Sequence, residues 1–223
     1  MNLAASALRT AKMITVHRPL VEDLVTPISA YLKLCPTGPS FLLESAAGGE
    51  QVARYSFLGY KPFLVVKGKG MEVEMQWCDG HREIAKQGTF KLLRSLFAQY
   101  SLPQHPSMPR FCGGAVGYFG YDNVGLLEPV GKSPQVDELD LPDTYLQFME
   151  NIIIFDHFTH QLHLVVNRPV LAGESAVYAE QAARKSLQQM AEKLAGPLPL
   201  MSETTSTEPV AGKPEGNLTE SEF

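Results

Sequence analysis

Ser40–Pro62, SFLLESAAGGEQVARYSFLGYKP, is the stretch on which the reading of this chain turns. Ser40–Ser45 is an apolar run that ends abruptly in Glu44-Ser45. Gly48-Gly49 lies in the following loop, and a lone cation, Arg54, precedes a second apolar run, Tyr55–Leu58. Two short strands around such a loop put a carboxylate, a hydroxyl and a guanidinium at the rim of a buried sheet, which suits a small-molecule site. The same pattern is also an ordinary way to end a strand. Strand alternation places Phe41, Leu43 and Ser45 on one face and Leu42 and Glu44 on the other. Leu43 and Ser45 then make an apolar floor with a hydroxyl at its edge, fit for an apolar body with a polar head, such as an aromatic amino acid. Glu44, on the opposite face, is left to pair with a cation, and Arg54 is the nearest candidate.

Outward from this stretch the pattern stays β-rich. Phe63–Lys67 leads to a turn at Gly68-Lys69-Gly70. In Met71–Trp77, Met71, Val73, Met75 and Trp77 alternate with Glu72, Glu74 and Gln76, the mark of a half-exposed antiparallel strand. Asp79-Gly80 is a further hairpin signal. Residues 40–85 therefore read as a β-meander. On the N-terminal side, Met13–His17 is a short strand closed by Pro19. Thr26-Pro27 then starts a helix that runs to about Cys35.

On the C-terminal side, Gly88-Thr89 opens a helix with Leu93, Leu96, Phe97 and Tyr100 on one stripe. Cys112–Asp122, CGGAVGYFGYD, interleaves glycines with aromatics. It lacks the lysine and hydroxyl of a phosphate loop and suits a buried strand that another group approaches closely. Tyr145–Phe155 and Leu162–Asn167 form a long hairpin. Gly173–Leu194 is the longest helix, burying Ala176, Ala179, Ala183, Leu187, Met190 and Leu194. The fold class is α+β, a largely antiparallel sheet with about three helices.

The chain has 223 residues, enough to bury a core without disulfide staples. The net charge is −5 and no Lys/Arg stripe is present, which speaks against nucleic acid as a partner. Cys35, Cys78 and Cys112 lie far apart, so neither a disulfide framework nor a zinc site is read, and a cytoplasmic setting fits. No apolar run reaches the roughly 18 residues of a membrane span. The basic, acid-free start (Arg9, Lys12, Arg18) reads as an ordinary N-terminus rather than a targeting peptide.

Candidates for chemistry are few. His157-x-x-His160-x-x-His163 crosses a hairpin turn, where a spacing of three puts side chains on opposite faces, so solvated turn histidines are favoured over a metal site. Asp137, Glu138, Asp140 and Asp143 are read as a solvated acidic loop rather than a Mg²⁺ site. No nucleophile–base signature is readable. After Gly196 the composition turns to Pro, Ser, Thr and Gly, a linker. NLTESEF then carries a capping box, Thr219-x-x-Glu222, with Leu218 placed as a staple. A helix start at the last residues is the expectation for a chain that continues beyond Phe223.

Several of these segments, in order, resemble the N-terminal region of anthranilate synthase component I: TPISAYLKL (Thr26–Leu34), SFLLES followed by GGE (Ser40–Glu50), RYSFLG (Arg54–Gly59) and GGAVGYFGYD (Gly113–Asp122). NLTESEF resembles the opening of that family's catalytic domain. The resemblance implies a regulatory domain at 1–195, a linker at 196–216 and the start of a chorismate-binding domain at 217–223. It implies a full-length enzyme that converts chorismate to anthranilate and pyruvate in tryptophan biosynthesis. Mg²⁺ would be held by the catalytic domain, with no cofactor in this part, and ammonia delivered by a glutamine amidotransferase subunit. It implies that Ser45 contacts the amino group of the inhibitor L-tryptophan, with Leu43 lining the indole pocket, Glu44 shaping its rim and Arg54 nearby. The second pocket wall belongs to the catalytic domain, with which this sheet completes a two-layer β-sandwich. This part alone is then inactive. The corresponding region of aminodeoxychorismate synthase and a free-standing amino-acid-binding module are the alternatives.

Overall fold

The computed structural model describes residues 12–21, 24–35, 37–44, 54–102, 108–130, 139–171 and 173–199. The elements run β1 (Met13–Val21), α1 (Pro27–Leu34), β2 (Ser40–Leu43), β3 (Tyr55–Lys69), β4 (Glu72–Trp77), β5 (Arg82–Lys86), α2 (Thr89–Gln99), β6 (Ala115–Phe119), β7 (Thr144–Asp156), β8 (Gln161–Pro169) and α3 (Ala176–Ala195). A 3₁₀ turn, Tyr121–Leu126, follows β6. Among the described residues the strands form one eight-stranded sheet with the order β1-β8-β7-β3-β4-β5, in which β2 joins β3 and β6 joins β7. Every pairing is antiparallel. The expected α+β class and the meander β2-β3-β4-β5 are observed.

The two longest strands, β3 and β7, are the spine, paired from Tyr55↔Asp156 to Gly68↔Thr144. The expected break between Leu58 and Phe63 is absent. Instead β3 is continuous, with a bulge between Pro62 and Leu64 and Lys61 in the left-handed region at φ 59. A bulge bends a strand and raises its twist without ending it. Pro19 likewise stays within β1, opposite His163, because β1 is an edge strand and proline is tolerated there.

Alternation along β7 explains how the layers form. Ile153 and Phe155 enter a cluster with Leu58, Leu164, Val166, Ala30, Leu34, Ala183, Leu187 and Met190, so α1 and α3 cover that face. Ile152 and Ile154 enter a cluster with Val165 and Cys112, against which Phe41, Tyr55, Phe57, Met108 and Phe111 pack. At the other end of the spine, Leu64, Val66, Val73, Met75 and Trp77 meet Leu92, Leu93 and Leu96 of α2. Each such side chain contributes roughly 1.5–3 kcal/mol by burial.

The helix boundaries follow local chemistry. Thr26 caps α1 in a box with Ser29: the Ser29 amide donates to Thr26 Oγ1 at 3.1 Å and the Thr26 amide donates to Ser29 Oγ at 2.9 Å. Ser175 caps α3, later than the expected start at Gly173, and leaves Ala176 exposed. Phe97, expected on the buried stripe of α2, is 47% exposed, while Leu92 is buried in its place.

The glycine-aromatic stretch departs from the buried strand expected of it. β6 is an edge strand and exposes Tyr118 and Phe119. Its glycines do serve close approach: a Cβ on Gly117 would run into the Tyr145 carbonyl. The following 3₁₀ turn is tied down by Asn123, whose side-chain amide donates to the Asp143 carbonyl and whose oxygen accepts from Thr144 Oγ1 at 2.9 Å. The expected linker beyond residue 199 and the capping box at Thr219–Glu222 lie outside the described residues.

Candidate functional site

β2 docks on the first half of β3 with Phe41 opposite Gly59 and Leu43 opposite Phe57. Gly59 is required here: the Phe41 ring lies where a Cβ on residue 59 would stand. Leu42 packs toward α1 and α3, whereas Phe41 packs with Phe57 on the other face. Strand alternation then places Leu43 with Phe41 and Phe57, the face division read from the sequence. Leu43 is 47% exposed and Glu44, just beyond the strand end, is exposed. Ser45 lies outside the described residues, as does the loop with Gly48 and Gly49.

Arg54 immediately precedes β3. Its guanidinium does not pair with Glu44, as expected, but with Asp156 at the end of β7: Nε donates to Oδ1 at 3.1 Å and Nη2 to Oδ2 at 2.7 Å. Register is the reason. Tyr55 faces Asp156 across the spine, and the His157 amide donates to the Arg54 carbonyl at 2.8 Å. Asp156 is 5% exposed and also accepts from the amides of Phe158 and Thr159. Burial alone would raise its carboxyl. The hydrogen bonds from Arg54, Thr159 and Phe158 outweigh that and hold it below the ordinary carboxylate range. The hydrogen bonds that Arg54 itself donates to Asp156 raise the guanidinium further. The guanidinium carbon also lies 4.8 Å from the Tyr55 ring centre and 5.5 Å from that of Phe158. Sequence reading missed Asp156. Its signal was an aspartate closing an apolar run before a turn, where a carboxylate accepts amides two and three residues on.

The histidine trio is dispersed. His157 Nε2 meets Ser56 Oγ at 2.8 Å, and His163 Nδ1 meets His17 Nε2 at 3.0 Å with the two rings stacked at 5.2 Å. His160 is exposed in the turn at φ 53. In the acidic loop, Asp143 Oδ2 accepts the Gly70 amide at 2.8 Å and Asp140 lies 3.4 Å from the Lys69 ammonium. Asp137 and Glu138 lie outside the described residues. Among the described residues no three His, Cys, Asp or Glu side chains gather as a metal site.

Among the recesses of the described surface are two beside these elements. One of about 730 Å³ lies between Val25, Thr26 and the β7–β8 turn at Asp156–Leu162. The other, of about 300 Å³, lies at the start of α2 beside Met71, Lys91 and Arg94. Leu43, Glu44 and Arg54 line neither.

A sheet with this strand order, the Tyr55–Lys69 strand on its spine and the Ser40–Leu43 strand docked on it can be set beside known proteins. The chain is 31% identical over 172 residues to anthranilate synthase component 1 of Acetivibrio thermocellus, covering 77% of this chain and 35% of that protein. It is 32% identical over 212 residues to the Neisseria meningitidis protein of the same name, covering 90% and 42%. The Pseudomonas aeruginosa protein is 34% identical over 188 residues, covering 80% and 36%. This chain belongs to the anthranilate synthase component 1 family. The crystal structure of anthranilate synthase component I from Streptococcus pneumoniae is similar to it with a TM-score of 0.51 at 29% identity, covering 82% of this chain and 37% of that one. No protein-family model matches. The matches span 35–42% of the length of these anthranilate synthase relatives, so the chain corresponds to under half of each.

Proposed function

We propose that this chain is the regulatory portion of an anthranilate synthase component I and carries one wall of an L-tryptophan feedback site. In this reading the inhibitor's indole lies against Leu43, its ammonium meets Ser45, and Glu44 shapes the rim. The observation that supports it is Leu43 standing half-exposed at the end of β2, on the face that carries Phe41 and Phe57. An apolar side chain left open beside aromatic ones suits an indole, whose burial contributes about 25 cal/mol per Å². The Ser45 hydroxyl would add roughly 0.5–1.5 kcal/mol and more to a charged ammonium.

Turnover belongs elsewhere in this reading. Chorismate, Mg²⁺ and the acid–base groups are assigned to a catalytic domain outside residues 1–195. Ammonia would come from a glutamine amidotransferase subunit, and the assembly would work in the cytoplasm. Among the described residues no helix is long and apolar enough to cross a membrane. A ligand held between two domains changes their relative positions, and a coupling of about 1–3 kcal/mol gives strong feedback.

The test is inhibition of the full-length subunit by L-tryptophan, for the parent and for Ser45→Ala and Ser45→Phe. Weakened inhibition with unchanged uninhibited turnover is expected. Parent-like inhibition constants in both variants would remove the assignment, and anthranilate formation by residues 1–223 alone would overturn the division of labour.

A further inference from the structure

Three strands finish side by side next to the start of α1. β1 closes at Val21, whose register partner is Gln161, the first residue of β8, and Gln161 also faces Asp156, the last residue of β7. The recess of about 730 Å³ lies where these ends meet Thr26 and Pro27. Small-molecule sites usually enclose roughly 300–1,000 Å³. The floor is apolar. Phe155 and Leu162 are 7% and 2% exposed and belong to the cluster beneath α1 and α3, with Val25 packed against it. The recess therefore opens on the helix-covered face of the sheet, whereas Phe41 and Phe57 pack on the opposite face.

The polar groups around this floor offer protons. The side chains of His160 and Gln161 are exposed and have no partner among the described residues. His157 meets Ser56 Oγ through Nε2 at 2.8 Å, which leaves Nδ1 over, and Thr26 Oγ1 accepts the Ser29 amide and keeps its own proton. Asp156, the acid among the lining residues, is already engaged by Arg54 and by the amides of Phe158 and Thr159. Donors without an open carboxylate favour an anion over an ammonium. The rings of Phe155 and His157 are nearly parallel, at 15° with centres 6.4 Å apart, so a flat body suits the floor.

We propose that this recess binds a small aromatic carboxylate, its ring on the Phe155–Leu162 floor and its carboxylate at the rim beside His160 and Gln161. The site is separate from the proposed tryptophan site and does not depend on it, since Leu43, Glu44 and Arg54 do not line the recess. An ammonium is not recognised here, which sets the ligand apart from an amino acid.

The test is fluorine NMR of 4-fluorobenzoate titrated into the full-length subunit. Saturable binding in the millimolar range is expected, unchanged by excess L-tryptophan. The uncharged 4-fluorobenzamide should bind about tenfold more weakly and 4-fluorobenzylamine should not bind. Gln161→Glu puts a negative charge at the rim and should weaken 4-fluorobenzoate about tenfold, as should His160→Asp, a residue that tolerates the left-handed backbone at this position. Gln161→Arg should tighten binding several-fold, a gain that misfolding does not produce. Absence of saturable binding to the parent at about 10 mM would overturn the proposal. So would equal affinities in the parent and the three variants, which would put the ligand elsewhere. Displacement by L-tryptophan would merge the recess with the inhibitor site, and equal binding of acid and amide would remove the carboxylate class; either result overturns the inference and leaves the tryptophan reading untouched.

Discussion

Arg54 and Asp156 are joined by two nearly parallel hydrogen bonds, 3.1 and 2.7 Å, across the ends of the two longest strands. The pair is asymmetric: the guanidinium side chain is 43% exposed and the carboxylate side chain 5%. The carboxylate is therefore the member the fold depends on, because it also holds the amides of the β7–β8 turn. Asp156→Ala should cost about 1–3 kcal/mol in urea unfolding, through turn amides left without an acceptor. The native carboxyl titrates below its unfolded value. Its contribution is therefore complete above the unfolded pKa of about 3.9 and is lost as pH falls through the native value. A variant as stable as the parent at pH 7 would refute this.

The stacked pair His17–His163 gives a second pH dependence, at higher pH. Burial pushes the His163 imidazole below its ordinary value, and the charge of Asp156 opposes that only partly. The unfolded chain then binds more protons than the native one as pH drops through about 6.5, so stability falls there. His163→Gln removes the buried titrating group and should flatten the profile between pH 8 and 5.5. An unchanged slope in that variant counts against the assignment.

Gly59 and Phe41 make a prediction about shape. Gly59→Ala drives a methyl into the Phe41 ring and should destabilise by about 1–3 kcal/mol. Phe41→Leu in the same chain should recover part of the loss, since a smaller side chain clears the space. A thermal midpoint for Gly59→Ala equal to the parent's would show that the ring moves aside without cost.

The α1 cap is a local prediction. Thr26→Ala removes the acceptor for the Ser29 amide and should cost about 1 kcal/mol, whereas Thr26→Ser should be near neutral. Equal chemical-denaturation midpoints for the alanine and serine variants would contradict it.

Local signals carried far in this chain. Thr26-Pro27, Gly80, Gly88 and the alternation Val73, Met75, Trp77 are each read from a few neighbouring residues, and the structure has them as cap, turn, helix start and buried strand face. The reading failed where a strand's neighbours mattered. Pro19 looks like a stop until β1 is found at an edge. The Gly-aromatic run looks buried until β6 is found with one partner, β7.

The candidate site divides in the same way. Strand alternation in Phe41-Leu42-Leu43 and the LLES and RYSFLG motifs were enough to separate the faces of β2 and to point to the family. The partner of Arg54 was not available from sequence. Glu44 is ten positions away and Asp156 is 102, and only the pairing of β3 with β7 brings the distant carboxylate to 2.7 Å. Periodicity sets which way a side chain faces, because it is a property of the backbone. Which groups meet across a sheet is set by register between strands remote in sequence, and that is decided only when the whole sheet assembles.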